Sequence, residues 1–307
     1  MANQNQMGCS APVFSVVIAV YNDWHLLEEC LDSLVQQTPG PSFEVIIVDD
    51  GSSNRMPEHL LDYANAFPLT TVRQPHTGIS VARNMGVRVA KGSVLLFIDA
   101  DSRLQGNCLT ALANTIASHP DQKSFQLRLV GDCSTLAGRV EELRLATLQE
   151  HMRVAGGCIR YLNTAGFAVK RVDVDSEKGL FDPAAIRGED TLLLVNLIQG
   201  GRPPYFAADA VVKHATPLTV TQCLRKNLWS ASLEARTYQL IAARGFRIRV
   251  GNWERLKMLR TMWRTSGQPA IQRQAWFVLL LSQTLQRIVS FAHAQLFRAS
   301  YYIRHTR

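Results

Sequence analysis

Short apolar runs alternate with amphipathic stretches over the first hundred residues of this 307-residue chain. The runs are rich in β-branched residues and are bounded by Gly, Pro, Asn or Asp, which is typical of buried strands. They are FSVVIAV (14–20), FEVIIVD (43–49), LTTVR (69–73) and SVLLFID (93–99). Apolar positions recur at helical spacing in the intervening stretches 24–37, 56–66 and 79–91. The alternation predicts an α/β fold with a mostly parallel central sheet covered by helices on both faces.

Beyond residue 105 the pattern is looser but still alternates. It predicts a helix near 106–118, a strand at 125–130, a helix at 136–153, a helix from about 190 to 199 and an apolar run at 205–212. Further helices, which are basic, are predicted over 217–243, 253–265 and 270–303.

Polar residues that follow the predicted strands are the candidate functional residues, because parallel sheets bind ligands at the carboxyl ends of their strands. Tyr21 follows the first run, Asp49 and Asp50 end the second, and Asp99 and Asp101 end the fourth. Two carboxylates two residues apart at a strand end can share a hard divalent cation with a diphosphate. A D-x-D pattern is common by itself, but this one stands directly after the predicted strand SVLLFI, where ligands bind in such sheets.

Two of the polar positions have structural alternatives. Asp50 can accept a hydrogen bond from a nucleobase or ribose, or it can cap a turn or a helix. Arg83 lies in the first turn of the helix predicted after Gly78, where it can contact phosphate or the strand-end acids, or form a surface ion pair. The chain contains neither a G-x-G-x-x-G nor a G-x-x-x-x-G-K-[ST] motif, which argues against nicotinamide or flavin oxidoreduction and against a P-loop ATPase.

Composition and charge narrow the class of protein. With 47% hydrophobic and 19% charged residues the chain is long enough to bury a large core, which excludes disorder as its main state. The net charge of +8 suggests an anionic partner. Residues 222–307 contain fifteen Lys or Arg and two Asp or Glu, so that they carry +13, and residues 1–221 carry −5. The charge excess therefore lies wholly in the C-terminal part.

Cellular context is also predicted from the sequence. No run reaches the roughly 18–20 apolar residues of a membrane-spanning helix, and the first residues lack the pattern of a secretory signal. Six cysteines without a CxxC pair favour reduced thiols, so we expect a cytoplasmic protein. Apolar positions between Trp276 and Ile303 form one predicted face of a basic helix. Such a helix either lies peripherally on the inner face of a membrane or packs on the rest of the protein, and both interpretations remain open.

Five short segments together resemble a known family. They are VVIAVYND (16–23), VIIVDDGSS (45–53), TGISVARNMG (77–86), LLFIDAD (95–101) and GED (188–190). In this order and spacing they resemble the inverting family 2 glycosyltransferases of GT-A fold. Each segment is weak alone, but all five stand at predicted strand ends or helix starts. The resemblance covers about residues 12–217 and supplies the expected donor class, a nucleotide-diphosphate sugar.

The resemblance implies a role for each matching residue. The nucleotide would be held by Ala19, Tyr21 and Asp50, with Asp49 supporting that loop and Arg83 near the diphosphate. In the D-x-D segment Asp99 and Ala100 would lie on the donor and Asp101 would hold a divalent metal, Mg²⁺ or Mn²⁺. Asp190 would be the general base that deprotonates the acceptor, with Glu189 orienting the acceptor or the loop. Some relatives use a histidine at the place of His214 as a further metal ligand, although a lone histidine is more often structural. The small residues of 163–169 resemble a segment that lines the donor and acceptor pocket, or they form a turn before a strand.

One departure from the family pattern bears on the reaction. Processive relatives carry Q-x-x-R-W and spanning helices, whereas here Gln222 and Arg225 are separated from Trp229 by three further residues. We therefore expect transfer of a single sugar to a hydroxyl acceptor, a glycan or lipid-linked intermediate in cell-surface polysaccharide or glycolipid synthesis, and no nucleic-acid partner. The alternatives are a sugar nucleotidyltransferase and a catalytically silent binding protein of the same fold.

The expected organisation has two parts. A catalytic domain would span residues 12–217, with a nucleotide-sugar half over about 12–105 and an acceptor half over about 106–217. A basic helical extension would follow over 218–307.

Overall fold

The computed structural model describes residues 11–215, 219–246, 252–265, 273–285 and 288. The strands are β1 (Phe14–Val20), β2 (Phe43–Asp49), β3 (Leu69–Arg73), β4 (Val94–Asp99), β5 (Ser102–Leu104), β6 (Ser124–Gly131), β7 (Phe167–Lys170) and β8 (Tyr205–His214). The helices are α1 (Trp24–Val35), α2 (Ile79–Val89), α3 (Cys108–Ser118), α4 (Leu136–His151), α5 (Glu189–Gln199), α6 (Val220–Ala243), α7 (Asn252–Thr265) and α8 (273–285). The predicted helix at 56–66 is a 3-10 helix, Glu58–Asn65.

All described strands belong to one sheet, in the order β3-β2-β1-β4-β7-β6-β8-β5. The first four strands pair in parallel, as the sequence predicts. In this register Ala19 lies opposite Asp99 and Val20 lies opposite Asp49. The candidate residues at the ends of three strands therefore meet at one edge of the sheet.

The second half of the sheet is mixed. β7 pairs antiparallel with both β4 and β6, and β5 pairs antiparallel with β8, whereas β6 and β8 are parallel. β5 and β7 have only three and four residues and are not apparent in the apolar pattern. The β5–β8 pairing places Ser102 opposite His214, which brings the end of β8 beside the D-x-D segment.

Helices cover both faces of the sheet. Val16 and Ile18 of β1 join a core with α1 and α3, and Val17 between them joins a second core with α2 and α5. This alternation is the period-2 pattern of a strand that is buried on both faces.

The C-terminal helices pack on the helical layer through their inner faces. Ile241 of α6 joins a cluster with Leu192 of α5, and Met262 of α7 and Leu279 of α8 join one with Leu143 of α4. Packing against the rest of the protein thus accounts for those inner faces. Over the parts of the chain that the structure describes, no helix is long and apolar enough to cross a bilayer. Of the helix predicted over 270–303, residues 273–285 form α8 and Ile288 is also helical. The other residues of this prediction lie outside the described ones.

Candidate active site

Asp49 and Asp50 organise the loops at the end of β2. Asp49 accepts a hydrogen bond from the Ser52 N–H at 2.8 Å and forms an ion pair with Arg73 at 2.9 Å. Asp50 accepts from the N–H groups of Thr77 (3.0 Å) and Gly78 (2.9 Å), which begin the turn into α2. Asp50 is therefore buried and caps the approach to that helix, one of the alternatives that its sequence context leaves open.

An aromatic stack stands beside this buried network. The rings of Tyr21 and His76 are parallel, with centroids 4.0 Å apart, and the Tyr21 side chain is exposed. His76 is anchored from below, because its Nδ1 lies 2.9 Å from the Asp50 carboxylate. The exposed ring of Tyr21 therefore offers a rigid surface on which a planar base can stack.

Helix α2 turns a polar face toward the segment that leads to the acidic pair, Glu189 and Asp190. Ser80 donates to the Ala185 carbonyl at 2.9 Å, and Asn84 accepts from the Phe181 N–H at 2.9 Å and donates to its carbonyl at 2.7 Å. Ser80, Arg83 and Asn84 are spaced i, i+3, i+4, so all three lie on one side of the helix. The segment TGISVARNMG thus holds the loop before Glu189 in place.

A glycine lets α2 approach the sheet closely enough for these contacts. A Cβ on Gly86 would lie 2.3 Å from Cγ1 of Val17 on β1, which is far inside van der Waals contact. Only glycine fits without displacing the helix or the strand.

Arg83 joins the D-x-D segment to the acidic pair. Its guanidinium is about 1% exposed and donates to Asp99 at 2.7 Å and to Glu189 at 2.6 Å. Burial lowers the pKa of Arg83, but the charges of Asp99 and Glu189 outweigh it and raise the pKa above its usual value. Because Arg83 itself and its partner Glu189 are buried, the interpretation as a surface ion pair is wrong.

Asp99, Asp101 and His214 form a cluster at the end of the sheet. One ligand atom of each lies within 4.8 Å of the others. The His214 Nε2 is 3.3 Å from one oxygen of Asp101, while the other oxygen, Oδ1, is buried and has no hydrogen-bond partner. A buried carboxylate oxygen without a donor is rare and suggests an absent cation or water. Two carboxylates and an imidazole are a donor set that divalent transition metals accept.

Helix α4 supports this cluster from behind. The Nδ1 of His214 lies 3.8 Å from Glu141 Oε1, and Arg144 holds Glu141 with two bonds of 2.6 and 2.8 Å. Burial opposes the charge of Glu141, but Arg144 outweighs it and lowers the pKa of Glu141 to about 2. Burial likewise lowers the pKa of His214, but Asp101 and Glu141 overcome that effect and raise it to about 9. Neither Glu141 nor Arg144 has a sequence signal, because both lie among ordinary charged positions of a helix.

The acidic pair begins helix α5. Gly188 precedes it with φ 78°, a left-handed conformation that favours glycine. Glu189 is buried against Arg83, and Asp190 accepts from the Thr191 N–H at 2.6 Å. Burial and the neighbouring charge of Glu189 raise the pKa of Asp190 to about 7. A carboxyl group with a pKa near neutrality is suited to accept and release a proton.

Other expected site residues have structural explanations or lie elsewhere. In the segment 163–169 Asn163 caps a short turn, and a Cβ on Gly166 would lie 2.7 Å from Leu129 of β6, so packing accounts for this small residue. Gln222 and Arg225 lie exposed on α6, where the Gln222 side chain accepts from the Thr219 N–H at 2.8 Å and so caps the helix.

Comparisons with known sequences and structures give a consistent result. A family model described as Glycosyl transferase family 2 matches residues 15–176, just over half of the chain. EpsJ of Bacillus subtilis, an uncharacterised glycosyltransferase, is 33% identical over 39% of this chain and 33% of its own length. A PGL/p-HBAD biosynthesis glycosyltransferase of Mycobacterium bovis is 38% identical over 36% of this chain and 44% of its own length. The chain thus spans less than half the length of these curated relatives.

Two solved structures share the fold. The mannosyltransferase PcManGT of Pyrobaculum calidifontis, in complex with GDP-Man and Mn²⁺, superposes with TM-score 0.60 at 18% identity, over 97% of this chain and 89% of its own. Residues 1-349 of S. aureus TarS superpose with TM-score 0.55 at 18% identity, over 94% of this chain and 91% of that fragment. The expected GT-A fold is confirmed.

Proposed function

Because this chain belongs to glycosyl transferase family 2, we propose that it is a metal-dependent inverting glycosyltransferase. It transfers one sugar from a nucleotide-diphosphate sugar to a hydroxyl acceptor. The observation that carries the proposal is the buried guanidinium of Arg83, which binds Asp99 and Glu189 at once. Through it the donor end of the sheet and the acidic pair of α5 form one rigid site.

The nucleotide of the donor binds at the ends of β1 and β2. Tyr21 supplies a stacking surface for the base, and Ala19 leaves space beside it at the end of β1. Asp49 and Asp50 hold the surrounding loops through the contacts described above. In support, the neighbouring structures include PcManGT with GDP-Man and S. aureus TarS with UDP-GlcNAc.

A divalent cation fits the cluster of Asp99, Asp101 and His214. The orphaned Oδ1 of Asp101 and the 4.8 Å spread of the donor atoms support this assignment. The imidazole favours Mn²⁺ over Mg²⁺, which prefers oxygen ligands. A bound cation supplies positive charge that stabilises a departing diphosphate. Glu141 and Arg144 act as positioning residues, since they hold Nδ1 of His214 so that Nε2 faces the carboxylates.

Asp190 is the general base of the proposed reaction. Its carboxylate takes the proton of the acceptor hydroxyl, the acceptor oxygen bonds to the anomeric carbon, and the nucleoside diphosphate leaves from the opposite side with inversion. The pKa of about 7 lets Asp190 be ionised at physiological pH and still be basic enough to take a proton. Glu189 orients the first turn of α5 through its ion pair with Arg83.

The remaining assignments concern organisation and acceptor. We assign the catalytic domain to residues 12–217, with a basic extension over 218–307. The acceptor is a glycan or a lipid-linked intermediate of cell-surface polysaccharide or glycolipid synthesis, an inference supported by the name of the mycobacterial relative.

The test is a donor panel assayed with and without Mn²⁺. The purified chain is incubated with UDP, GDP and TDP sugars, and release of nucleoside diphosphate is followed by ³¹P NMR, which also detects any triphosphate-dependent synthesis of sugar nucleotide. We expect Mn²⁺-dependent release with one donor, loss of release in Asp101→Ala, and retention in Asp121→Ala, which removes an exposed carboxylate.

Three outcomes would contradict the proposal. Undiminished release in excess EDTA would exclude the metal role, and synthesis of a sugar nucleotide from sugar phosphate would favour a nucleotidyltransferase. No turnover of any donor, despite donor-induced thermal stabilisation, would favour a silent binding protein. Once an acceptor is known, the anomeric configuration of the product, read by ¹H NMR, tests inversion directly.

A further inference from the structure

The outer faces of α7 and α8 expose large apolar side chains. On α7 these are Leu256, Leu259 and Trp263, of which Trp263 is 72% exposed. They are spaced i, i+3, i+7, so they form one stripe along the helix. Met262 lies on the inner face and packs toward α4.

Helix α8 repeats this arrangement. Phe277, Leu280 and Leu281 are exposed, and Ile288 continues the same stripe at helical spacing. Ala275 and Leu279 point the other way and are buried in the cluster with α4. Each helix thus has an inner and an outer apolar face. Packing on the rest of the protein accounts only for the inner face.

The two stripes are neighbours. The indole of Trp263 meets that of Trp276 edge to face, with ring centroids 5.9 Å apart. This contact joins the end of the α7 stripe to the start of α8. We call the exposed set the outer apolar surface, and its members are Leu256, Leu259, Trp263, Phe277, Leu280, Leu281 and Ile288.

Basic residues accompany this surface, and the sequence of α7 contains one acidic residue, Glu254, in its first turn. Lys257, Arg260, Arg264 and Arg273 are exposed on the same two helices. From residue 255 to the end of the sequence there are nine Lys or Arg and no Asp or Glu. An exposed apolar stripe with Trp and Phe, accompanied by these four exposed basic residues, matches the interface of an anionic bilayer.

We propose that the outer apolar surface docks this protein on the surface of an anionic membrane. The apolar side chains enter the boundary between headgroups and acyl chains, and the flanking Lys and Arg contact lipid phosphates. A second copy of the chain is a poorer occupant, because it would bring two faces of like charge together. The inference goes beyond the proposed transfer reaction and does not depend on it.

The test is flotation of the full chain with lipid vesicles. Vesicles of phosphatidylcholine alone are compared with vesicles containing 30% phosphatidylglycerol. We expect binding to the anionic vesicles at least about tenfold above the neutral ones, falling with added salt. Trp263→Ser with Phe277→Ser should reduce that binding about tenfold or more, and Arg260→Glu with Arg264→Glu should abolish its dependence on anionic lipid.

The controls are two exposed residues far from this surface in sequence. Val172 is 91% exposed, so Val172→Ser removes a solvent-facing apolar side chain, and Arg171→Glu reverses an exposed charge beside it. Both should bind vesicles like the unaltered chain. Circular dichroism and thermal unfolding show that each variant is folded.

Several results would overturn the proposal. One is equal binding of the Trp263/Phe277 variant and of Val172→Ser, and another is equal binding to neutral and anionic vesicles. A concentration-dependent dimer in light scattering that the Trp263/Phe277 variant abolishes, without vesicle binding, would assign the surface to a second copy. Mn²⁺-dependent release of nucleoside diphosphate, assayed without vesicles, is expected to be unchanged in these variants. If the unaltered chain shows no such release, the proposed transfer reaction is refuted, but the proposed membrane docking is not.

Discussion

Replacing Asp190 by Asn should stabilise the fold while removing transfer. In the native protein Asp190 accepts hydrogen bonds from the N–H and hydroxyl of Thr191. An Asn side chain keeps an oxygen for these donors but carries no charge. The variant therefore removes a carboxylate that burial and Glu189 both disfavour, and leaves the start of α5 capped.

The size of the effect follows from the pKa. It rises from 3.8 to about 7, and a shift of about three units corresponds to about 4 kcal/mol at about 1.4 kcal/mol per unit. Because Asp190 is partly accessible to water, we expect about 2 kcal/mol of this to appear as stability. That corresponds to a rise in unfolding temperature of roughly 4 °C for a protein of this size.

The size of this stabilisation depends on pH. The unfolded chain releases the Asp190 proton near pH 3.8, whereas the folded protein keeps it until about pH 7. Between these values the folded state binds more protons, so the free energy of unfolding falls as pH rises and then levels off. The advantage of the Asn variant should be largest at pH 8 and shrink to less than half at pH 5.

The assay is thermal unfolding from pH 5 to 9, with transfer measured on the same samples. Asp209→Asn, at an exposed carboxylate of β8, is the matched control and should follow the unaltered chain throughout. Transfer should fall about 10²- to 10⁴-fold in Asp190→Asn only, and transfer by the unaltered chain should rise with pH through about 7. If the unfolding temperature depended on pH in the same way in Asp190→Asn and in the unaltered chain, the raised pKa of Asp190 would be refuted. Full transfer by Asp190→Asn would refute the role of Asp190 as base.

Three further substitutions test how the site is held together. Glu141→Gln should weaken Mn²⁺ binding, measured by electron paramagnetic resonance, about 10- to 100-fold. Glu150→Gln, on the same helix, should leave the affinity unchanged. Equal affinities of the two variants would show that Glu141 does not position His214. Arg83→Met leaves two carboxylates without their partner and should lower the free energy of unfolding by about 3–5 kcal/mol in urea titrations, and a loss below 1 kcal/mol would contradict the buried bridge. Gly86→Ala should lower it by about 1–3 kcal/mol, since the new Cβ collides with the Val17 side chain. Val17→Ala removes that side chain but leaves a cavity in the core. In the double variant the two losses should therefore be less than additive, and full additivity would place the strain elsewhere.

The first half of the fold is well predicted from the pattern of residues. The four predicted strands agree with the observed ones to within one residue. β1, β2 and β4 are buried, so they are largely apolar runs in the sequence. The prediction that LTTVR is a buried strand is wrong, because β3 lies at the edge of the sheet and is partly exposed. β5 and β7 could not be predicted in this way. They are too short to show a period, and their pairing partners β8 and β4 lie far away in the sequence.

The residues of the candidate site also fall into those that the sequence predicts and those that it does not. Asp99, Asp101 and the acidic pair could be found because they stand where strands end or helices begin. Glu141 and Arg144 could not, since their importance arises only when α4 packs behind His214. Arg83 was located, but the sequence left open whether it lies on the surface, and its burial depends on α2 packing onto both the sheet and the loop before α5.

Local pattern and composition are enough to predict the parallel half of the sheet, the placing of the acidic residues at strand ends and helix starts, and the division of charge along the chain. Which side chains meet depends on the fold: His214 reaches Asp101 through the β5–β8 pair, Arg83 links Asp99 to Glu189, and α7 and α8 keep an exposed apolar face after packing. Burial, pairing and pKa depend on neighbours that are distant in sequence, and such contacts are formed only when the chain folds.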